Sequence, residues 1–213
     1  NDAGKIKTGV TEIIPDPDDL FRIKTPTAIY IGNGFGKLAG YSQVEELGNS
    51  ETPIILTNTL SVPTASQALI EYTLRNNNSI RSVNPLVGET NDGRLNNIQG
   101  FHVKKEHVFK AIEKASFKNI SEGNIGAGTG TVCFGFKGGI GTSSRIIPKS
   151  LGGYTVGVLV QTNFGGVLRI GGESIGKKLN KYTFQKNSYE SADESCMIVI
   201  ITDAPLDSRN VKR

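Results

Sequence analysis

The chain has 213 residues, of which 37% are hydrophobic and 21% are charged. This balance predicts one folded domain, residues 1–213, with a sizeable core, and it excludes intrinsic disorder. The net charge of +4 comes from scattered Lys and Arg rather than from a basic block, so we expect no nucleic-acid partner. No apolar run reaches the roughly 18 residues of a membrane span, so we expect no membrane partner.

The cysteine content indicates a reducing compartment. Cys133 and Cys196 both lie in apolar stretches, which predicts two buried thiols rather than a disulfide or a metal site. We therefore expect a cytoplasmic protein. A periplasmic or secreted location stays open, because a removed export signal would leave the same N-terminal sequence.

The first half of the chain alternates extended and helical patterns. Residues 52–57 are a short apolar run typical of a strand, and residues 64–74 carry apolar side chains at helical spacing. Residues 83–87 then predict a second extended segment. Residues 104–115 repeat the helical spacing and predict a second helix.

The second half is rich in glycine and β-forming residues, and no helix is predicted between Gly123 and Ala204. Such a composition is typical of sheets that pack closely on one another. Residues 177–194 are polar and predict a surface loop that ends directly before Ser195. The predicted strands of this half are residues 126–136, 139–147, 153–161, 167–170 and 196–201.

Ser195 stands at the head of the apolar run 196–201. The run is apolar on both faces, so we expect a central strand with a neighbour on each side. A serine in this position can be a nucleophile: once the preceding peptide bond is cut, its own α-amino group, with a pKa of about 7.7 to 8, can take the Oγ proton. Strand alternation places Cys196 on the opposite face. The pattern alone favours the other reading, in which Ser195 is the plain start of a buried strand.

Other patterns point to different chemistry. Residues 171–178 approach a phosphate-binding loop, but Lys178 stands where a hydroxyl residue is required, so a nucleotide-binding protein is a third reading. His102 and His107 lie five residues apart, which does not fit metal-ligand spacing, and both are flanked by lysines, which disfavours a Ser-His pair. We expect no metal and no cofactor.

Several segments together resemble the L-aminopeptidase/D-esterase family, which includes the β-peptidyl aminopeptidases. The most specific are the glycine-rich residues 126–131 and 135–145. Further matching segments follow in the family's order and are residues 33–48, 52–59, 88–93, 161–165 and 195–206. The resemblance covers nearly the whole chain.

The resemblance implies roles at single positions. Ser195 matches the family's nucleophile, which is freed when the bond between Glu194 and Ser195 cleaves itself. Asn163 matches an asparagine whose side-chain amide helps to form the oxyanion hole. Glu89 matches a substrate-binding glutamate that faces the free amino group, although the residue pattern alone predicts a solvated turn. Asn91 occupies the position of an assisting tyrosine, where we expect an amide donor beside the substrate.

The fold that the resemblance implies is α+β, a four-layer α-β-β-α sandwich. Residues 1–194 correspond to the family's α-subunit-like part and residues 195–213 to the start of its β-subunit-like part. The family continues beyond the position of Arg213 with a further serine and glutamate near the nucleophile, so we expect this chain to supply most of the sandwich. The resemblance also implies a homo-oligomer, a tetramer of processed protomers.

The implied function is that of a serine aminopeptidase or amidase, which hydrolyses the N-terminal residues of small peptides, or amino-acid amides and esters, through an acyl-enzyme on Ser195. An alternative function remains open. Glu194 replaces the glycine that commonly precedes the family's nucleophile, and Asn91 replaces the tyrosine. These departures favour a non-catalytic or unprocessed relative that acts as a binding or assembly module.

Overall fold

The computed structural model describes residues 2–16, 18–75, 77–118, 120–182 and 195–213, and its mixture of helices and sheets confirms the predicted α+β class. The strands are β1 (Thr11–Ile13), β2 (Thr25–Pro26), β3 (Asn49–Ser50), β4 (Ile54–Asn58), β5 (Leu86–Thr90), β6 (Val132–Cys133), β7 (Phe136–Lys137), β8 (Gly139–Ile146), β9 (Thr155–Asn163) and β10 (Ser195–Thr202). The α-helices are α1 (Tyr41–Leu47), α2 (Val62–Arg75), α3 (Lys105–Lys114), α4 (Ile175–Lys178) and α5 (Ser208–Lys212). Short 3-10 helices span Asp2–Lys5, Thr59–Ser61, Ile98–Gly100, Gly126–Gly128 and Lys149–Leu151.

The first sheet has the strand order β1-β4-β5, with β1 antiparallel and β5 parallel to β4. The parallel pair is connected through α2, as a parallel crossover requires. Helices α2 and α3 cover one face of this sheet. The core between them contains Ile55, Val62, Ala65, Ala68, Leu69, Val87, Val108 and Ile112.

Helix α2 begins almost directly after β4, and Asn58 makes this sharp connection. The Asn58 side-chain oxygen accepts a hydrogen bond from the Ser61 backbone N–H at 3.0 Å, which satisfies a donor that a helix start would otherwise leave unpaired. The buried side chains Ala65, Ala68 and Leu69 then follow at helical spacing. The carboxyl end of β4 is thereby held beside the amino end of a helix.

The second sheet has the strand order β10-β9-β8, and both pairs are antiparallel. Its inner face packs against the uncovered face of the first sheet. The side chains at this contact are Ile13, Ile54, Leu56, Ala127, Leu159, Met197, Val199 and Ile201. Close approach depends on Gly88, because a Cβ there would lie 2.9 Å from the Met197 sulfur. The described residues thus form three layers of the expected sandwich: helices, first sheet and second sheet.

The outer face of the second sheet leaves the large aliphatic side chains of Ile198 and Ile200 exposed. Within the described residues β10 has one neighbour, β9, and it forms the edge of the sheet. The second neighbour that we expect for β10 is therefore not supplied by the part of the chain that the structure describes. Strand β10 carries apolar side chains on both faces, but among the described residues only its inner face is packed.

The glycine-rich half departs from prediction in three further places. Residues 126–136 are mostly not extended, because Gly126 adopts a φ of 51° and opens a 3-10 turn. Residues 167–170 contain one isolated bridge, between Ile170 and Glu173, which closes a turn through two glycines with positive φ. The prediction of no helix in this half is wrong, since α4 is a short one. None of the described helices is long and apolar enough to cross a membrane.

Candidate active site

Ser195 and Asn163 meet at one end of the contact between the two sheets. Ser195 is the first residue of β10 and pairs directly with Asn163, the last residue of β9, so their Cβ atoms are cross-strand neighbours about 5 Å apart. Alternation puts both side chains on the same face as Met197 and Gln161. That face points inward, toward the carboxyl ends of β4 and β5.

Two main-chain groups fix the orientation of the buried Asn163 side chain. The Val132 N–H donates to Oδ1 at 3.1 Å, and Nδ2 donates to the Asn91 carbonyl at 2.8 Å. A backbone N–H cannot bond to an NH₂ group and a carbonyl cannot bond to Oδ1, so the two partners distinguish the amide oxygen from the nitrogen. An amide nitrogen carries two N–H bonds, and no second acceptor for Nδ2 is present among the described residues. The remaining N–H is a preorganised donor beside Ser195.

Asn91 takes part in the site through its backbone. Its carbonyl accepts the Asn163 bond, and its side-chain Oδ1 accepts the Gly93 N–H at 2.9 Å within a turn. The structure therefore places Asn91 next to Asn163. The Asn91 carbonyl helps to orient the Asn163 amide.

Glu89 is a buried strand residue, 3% exposed, and the prediction of a solvated turn is wrong. Its Oε1 accepts the Lys37 N–H at 2.9 Å, and its Oε2 accepts the Thr59 hydroxyl. Val87, two residues earlier, packs in the core under the helices, so Glu89 lies on that same face of β5. Ser195 and Glu89 thus approach this end of the molecule from opposite sides of the first sheet.

A buried polar network behind these residues was not predicted from the sequence. Gln161 Nε2 donates to Thr90 Oγ1 at 2.7 Å and to the Ala127 carbonyl at 3.1 Å, which ties the two sheets together. The signal in the sequence is a large amide, Gln161, directly after the apolar run Val158–Val160 of β9. A polar residue on the inner face of a core strand indicates such a network.

Asp92 extends the network from the loop after β5. Its Oδ1 accepts the Asn96 amide at 3.0 Å, and the Thr8 side chain lies beside its carboxyl. Burial, together with the charge of Glu89, raises the pKa of Asp92 above its usual range. Its Oδ2 has no partner among the described residues. An unpaired, buried carboxyl oxygen disfavours the charged form.

Cys196 alternates with Ser195 as predicted, but its side chain is exposed and the prediction of a buried thiol is wrong. Cys133 is half-buried. Partial desolvation of the sulfur raises the pKa of both thiols, although the Cys196 side chain as a whole is exposed, and Cys133 adds to the effect at Cys196; neither is a ready thiolate nucleophile at neutral pH. Glu194, the predicted residue before the cleavage point, lies outside the described residues.

The competing motifs have structural explanations. Residues 171–178 form the turn closed by Ile170 and Glu173 and then the four-residue helix α4, which differs from the strand, loop and long helix of a phosphate-binding loop. His107 Nδ1 accepts the Lys104 N–H at 2.9 Å and caps α3. Within the described part of the chain, no three His, Cys, Asp or Glu side chains are grouped as metal ligands would be.

Comparisons with known proteins agree with this geometry. The chain is 38% identical over 227 aligned residues to the beta-peptidyl aminopeptidase BapA of Sphingosinicella microcystinivorans, a match that covers 99% of this chain and 56% of that protein. The chain thus spans about half the length of the curated relatives it matches.

Solved structures show the same fold. A protein of Pyrococcus horikoshii OT3 superposes with a TM-score of 0.88 at 44% identity, over 99% of this chain and 59% of that one. The L-aminopeptidase D-Ala-esterase/amidase of Ochrobactrum anthropi, described as a serine aminopeptidase and a new variant of the Ntn hydrolase fold, gives 0.76 at 29% identity, over 98% and 64%. The sequence profile of Peptidase family S58 matches residues 1–213. The chain therefore belongs to peptidase family S58.

Proposed function

We propose that the protein is a self-processing serine aminopeptidase or amidase that acts on small peptides, amino-acid amides and esters. The observation that carries the proposal is the pairing of Ser195 with Asn163 at the ends of β10 and β9. It puts a hydroxyl beside an amide donor whose orientation is fixed by Val132 and Asn91. A preorganised donor next to a nucleophile is what acyl transfer requires.

In the proposed reaction, cleavage of the bond between Glu194 and Ser195 first frees the Ser195 α-amino group. This amine takes the Oγ proton as the oxygen attacks the substrate carbonyl. The Asn163 N–H stabilises the negative charge on the carbonyl oxygen. The amine then protonates the leaving nitrogen, and water hydrolyses the acyl ester to release the N-terminal residue and restore Ser195.

Glu89 supplies recognition in this scheme. An aminopeptidase must bind the substrate's ammonium, and a buried carboxylate does so through a charge-assisted hydrogen bond. The Lys37 N–H and the Thr59 hydroxyl hold the two oxygens of Glu89 in place. Each carboxylate oxygen has more than one lone pair, so both can accept a further bond.

The proposal is tested on full-length protein by mass spectrometry and by hydrolysis of aminoacyl p-nitroanilides. We expect two polypeptides that meet between Glu194 and Ser195. The variant Ser195→Ala should remain one chain and lose activity by about a thousandfold or more, as loss of a nucleophile does in serine hydrolases. Cys196→Ala is the matched control: this neighbouring nucleophile faces outward and its loss should leave the rate unchanged.

An uncut, inactive and folded wild-type chain would contradict the proposal. It would favour the binding or assembly module that Glu194 and Asn91 suggest. Activity that survives in Ser195→Ala, or that disappears in Cys196→Ala, would also overturn the assignment of the nucleophile.

The proposal extends to assembly and compartment. We place the protein in the cytoplasm as a homo-oligomer of processed protomers. Free thiols at Cys133 and Cys196 support a reducing compartment, and the resemblance to the family supports the oligomer. Light scattering on the purified protein tests the oligomer, and a monomeric mass would contradict it.

A further inference from the structure

The segment from Tyr30 to Lys37 exposes several large apolar side chains beside Glu89. Tyr30 is 93% exposed and Phe35 is 76% exposed, and Ile31 is exposed as well. Single exposed apolar residues are normal at a protein surface, whereas a group of them in one short segment indicates a contact surface. The segment contacts Glu89 through the Lys37 N–H, and none of these side chains takes part in that contact.

The segment is anchored on the Glu89 carboxylate. Besides the Lys37 bond to Oε1 at 2.9 Å, the neighbouring Gly36 approaches so closely that a Cβ there would lie 3.2 Å from the same oxygen. Gly36 does not have a positive φ, so its backbone conformation does not require glycine. Because Gly36 has no side chain, the space next to Glu89 Oε1 is open, and an ammonium can bind there.

Phe35 directly precedes this open space. Consecutive Cα atoms are about 3.8 Å apart, and the α-carbon of a bound residue lies about 1.5 Å from its ammonium nitrogen. The side chain of that residue therefore starts beside the backbone of Phe35, the large apolar residue next to Gly36 in the chain. The Lys37 ammonium lies over the ring, 5.6 Å from its centroid, which favours a defined ring position.

Ile31 packs toward the turn that precedes Phe35. Its Cγ2 is 3.8 Å from the position that a Cβ would take at Gly34, the residue before Phe35. The two apolar side chains thus flank one short glycine-containing turn. Together they can provide an apolar surface without closing the space beside Oε1.

We propose that Phe35, supported by Ile31, forms the apolar wall of the subsite for the side chain of the substrate's N-terminal residue. The preferred substrates are then peptides or amides whose N-terminal residue carries a large apolar or aromatic side chain. The inference rests on the proposed function in one respect, that Glu89 binds the ammonium of that residue.

The first test measures kcat/KM of full-length protein for glycyl, alanyl, leucyl and phenylalanyl p-nitroanilides. Phe35→Ala should lower kcat/KM for the leucyl and phenylalanyl substrates by about tenfold, since an apolar contact of this size discriminates by about that much. The glycyl substrate, which has no side chain, should change by less than about twofold. Phe117→Ala is the matched control, because Phe117 is 91% exposed and lines a groove with Pro53 at the other end of β4.

A uniform loss over the four substrates, or no loss, would overturn the inference. A uniform loss together with a changed oligomeric mass would instead identify the segment as an interface between copies of the chain. Gly36→Ala sharpens the test, since its Cβ fills the space beside Oε1. It should weaken all four substrates alike, because every one of them has the ammonium.

A second test uses amines that cannot be hydrolysed, so it does not depend on catalysis. Calorimetry should show phenethylamine binding to the wild-type protein about tenfold more tightly than ethylamine, and Phe35→Ala should remove the difference. If these amines discriminate as expected but no nitroanilide is cleaved, the proposed function fails and the subsite stands. If the two amines bind equally to the wild type, the subsite is wrong whatever the catalytic result.

Discussion

The contact between the two sheets has two ends of opposite character. At one end the inner faces meet through aliphatic side chains, among them Ile13, Leu159 and Ile201. At the other end the same two faces carry Gln161 and Asn163, which are buried and hydrogen-bonded to neighbouring backbone and side-chain groups. One strand, β9, supplies residues to both ends.

The two ends therefore differ in role: the apolar end contributes to stability, and the polar end contributes to chemistry. Burial of apolar side chains stabilises the fold by about 25 cal/mol per Å², whereas a buried polar group costs free energy unless all its hydrogen bonds are made. At the polar end, Gln161 Oε1 and Asp92 Oδ2 have no partner within the described residues. We infer that the apolar end stabilises the sandwich. The polar end lowers the free energy of unfolding somewhat, and its hydrogen bonds hold the Asn163 amide in place.

The largest effect is expected when the hydrogen-bond donor at the polar end, the Asn163 amide, is removed. Asn163→Asp keeps the shape and the acceptor for Val132 N–H but has no N–H to give. Loss of one oxyanion donor typically costs about a hundredfold to a thousandfold in kcat, and we expect this with KM changed by less than about threefold. Steady-state hydrolysis of an aminoacyl nitroanilide gives both values.

The control for Asn163 lies on the same strand. Thr155→Ala, at the first residue of β9, should leave kcat within about twofold because it is far from Ser195. A near-normal kcat in Asn163→Asp would mean that the oriented amide does not act on the substrate, and the proposed role of the polar end would be lost.

The apolar side of the comparison is tested at Leu56, a buried residue on the inner face of β4. Leu56→Ala should lower the free energy of unfolding by about 2 to 5 kcal/mol, through lost burial and the cavity left behind. The kcat of the folded fraction should stay within about twofold. The shift in the midpoint of urea denaturation measures the first effect, and initial rates below that midpoint measure the second.

Asn163→Asp supplies the reverse case for Leu56→Ala: it also costs stability, because the new carboxyl faces the Asn91 carbonyl, but its kcat per folded molecule should fall by about a hundredfold or more. If both variants lost stability and activity in parallel, the two ends of the contact would form one cooperative unit. The separation of roles would then be wrong.

Much of the fold could be predicted from the sequence, because strong periodicity marks an element whose burial is complete. Helices α2 and α3 lie within two residues of their predicted bounds, and the strand before α2 differs only at its ends. The glycine-rich half was harder. A glycine run is compatible with strands and with turns alike, and Gly126 takes the turn conformation.

The candidate site shows the same division. Ser195 and Asn163 could be proposed from motifs, but their contact depends on an antiparallel register that no local pattern specifies. The burial of Glu89 was missed because the residues around it, Gly88 and Thr90, resemble a turn. The orienting carbonyl of Asn91 could not be foreseen, since every residue has one and only the fold selects it.

The smallest effect is expected at Asp92, where the cost of the polar end can be measured by pH. Burial raises the pKa of Asp92 above its ordinary value of 3.8, so the native state favours the protonated carboxyl. Its contribution to stability is therefore full below that ordinary pKa and is lost as the pH rises through the raised pKa of the folded protein. Asp92→Asn removes the titration and can keep Oδ1 as the acceptor for Asn96.

We expect the Tm of Asp92→Asn to rise relative to wild type as the pH increases from about 4 to 8. The change in the Tm difference should be about 2 to 4 °C, which is what about 1 kcal/mol produces in a domain of this size. Asp18→Asn, at an exposed position, controls for the loss of one negative charge. A Tm difference that stays constant over this range, or that falls, would mean that Asp92 carries its charge in the native state without cost, and the polar end would then be fully paired after all.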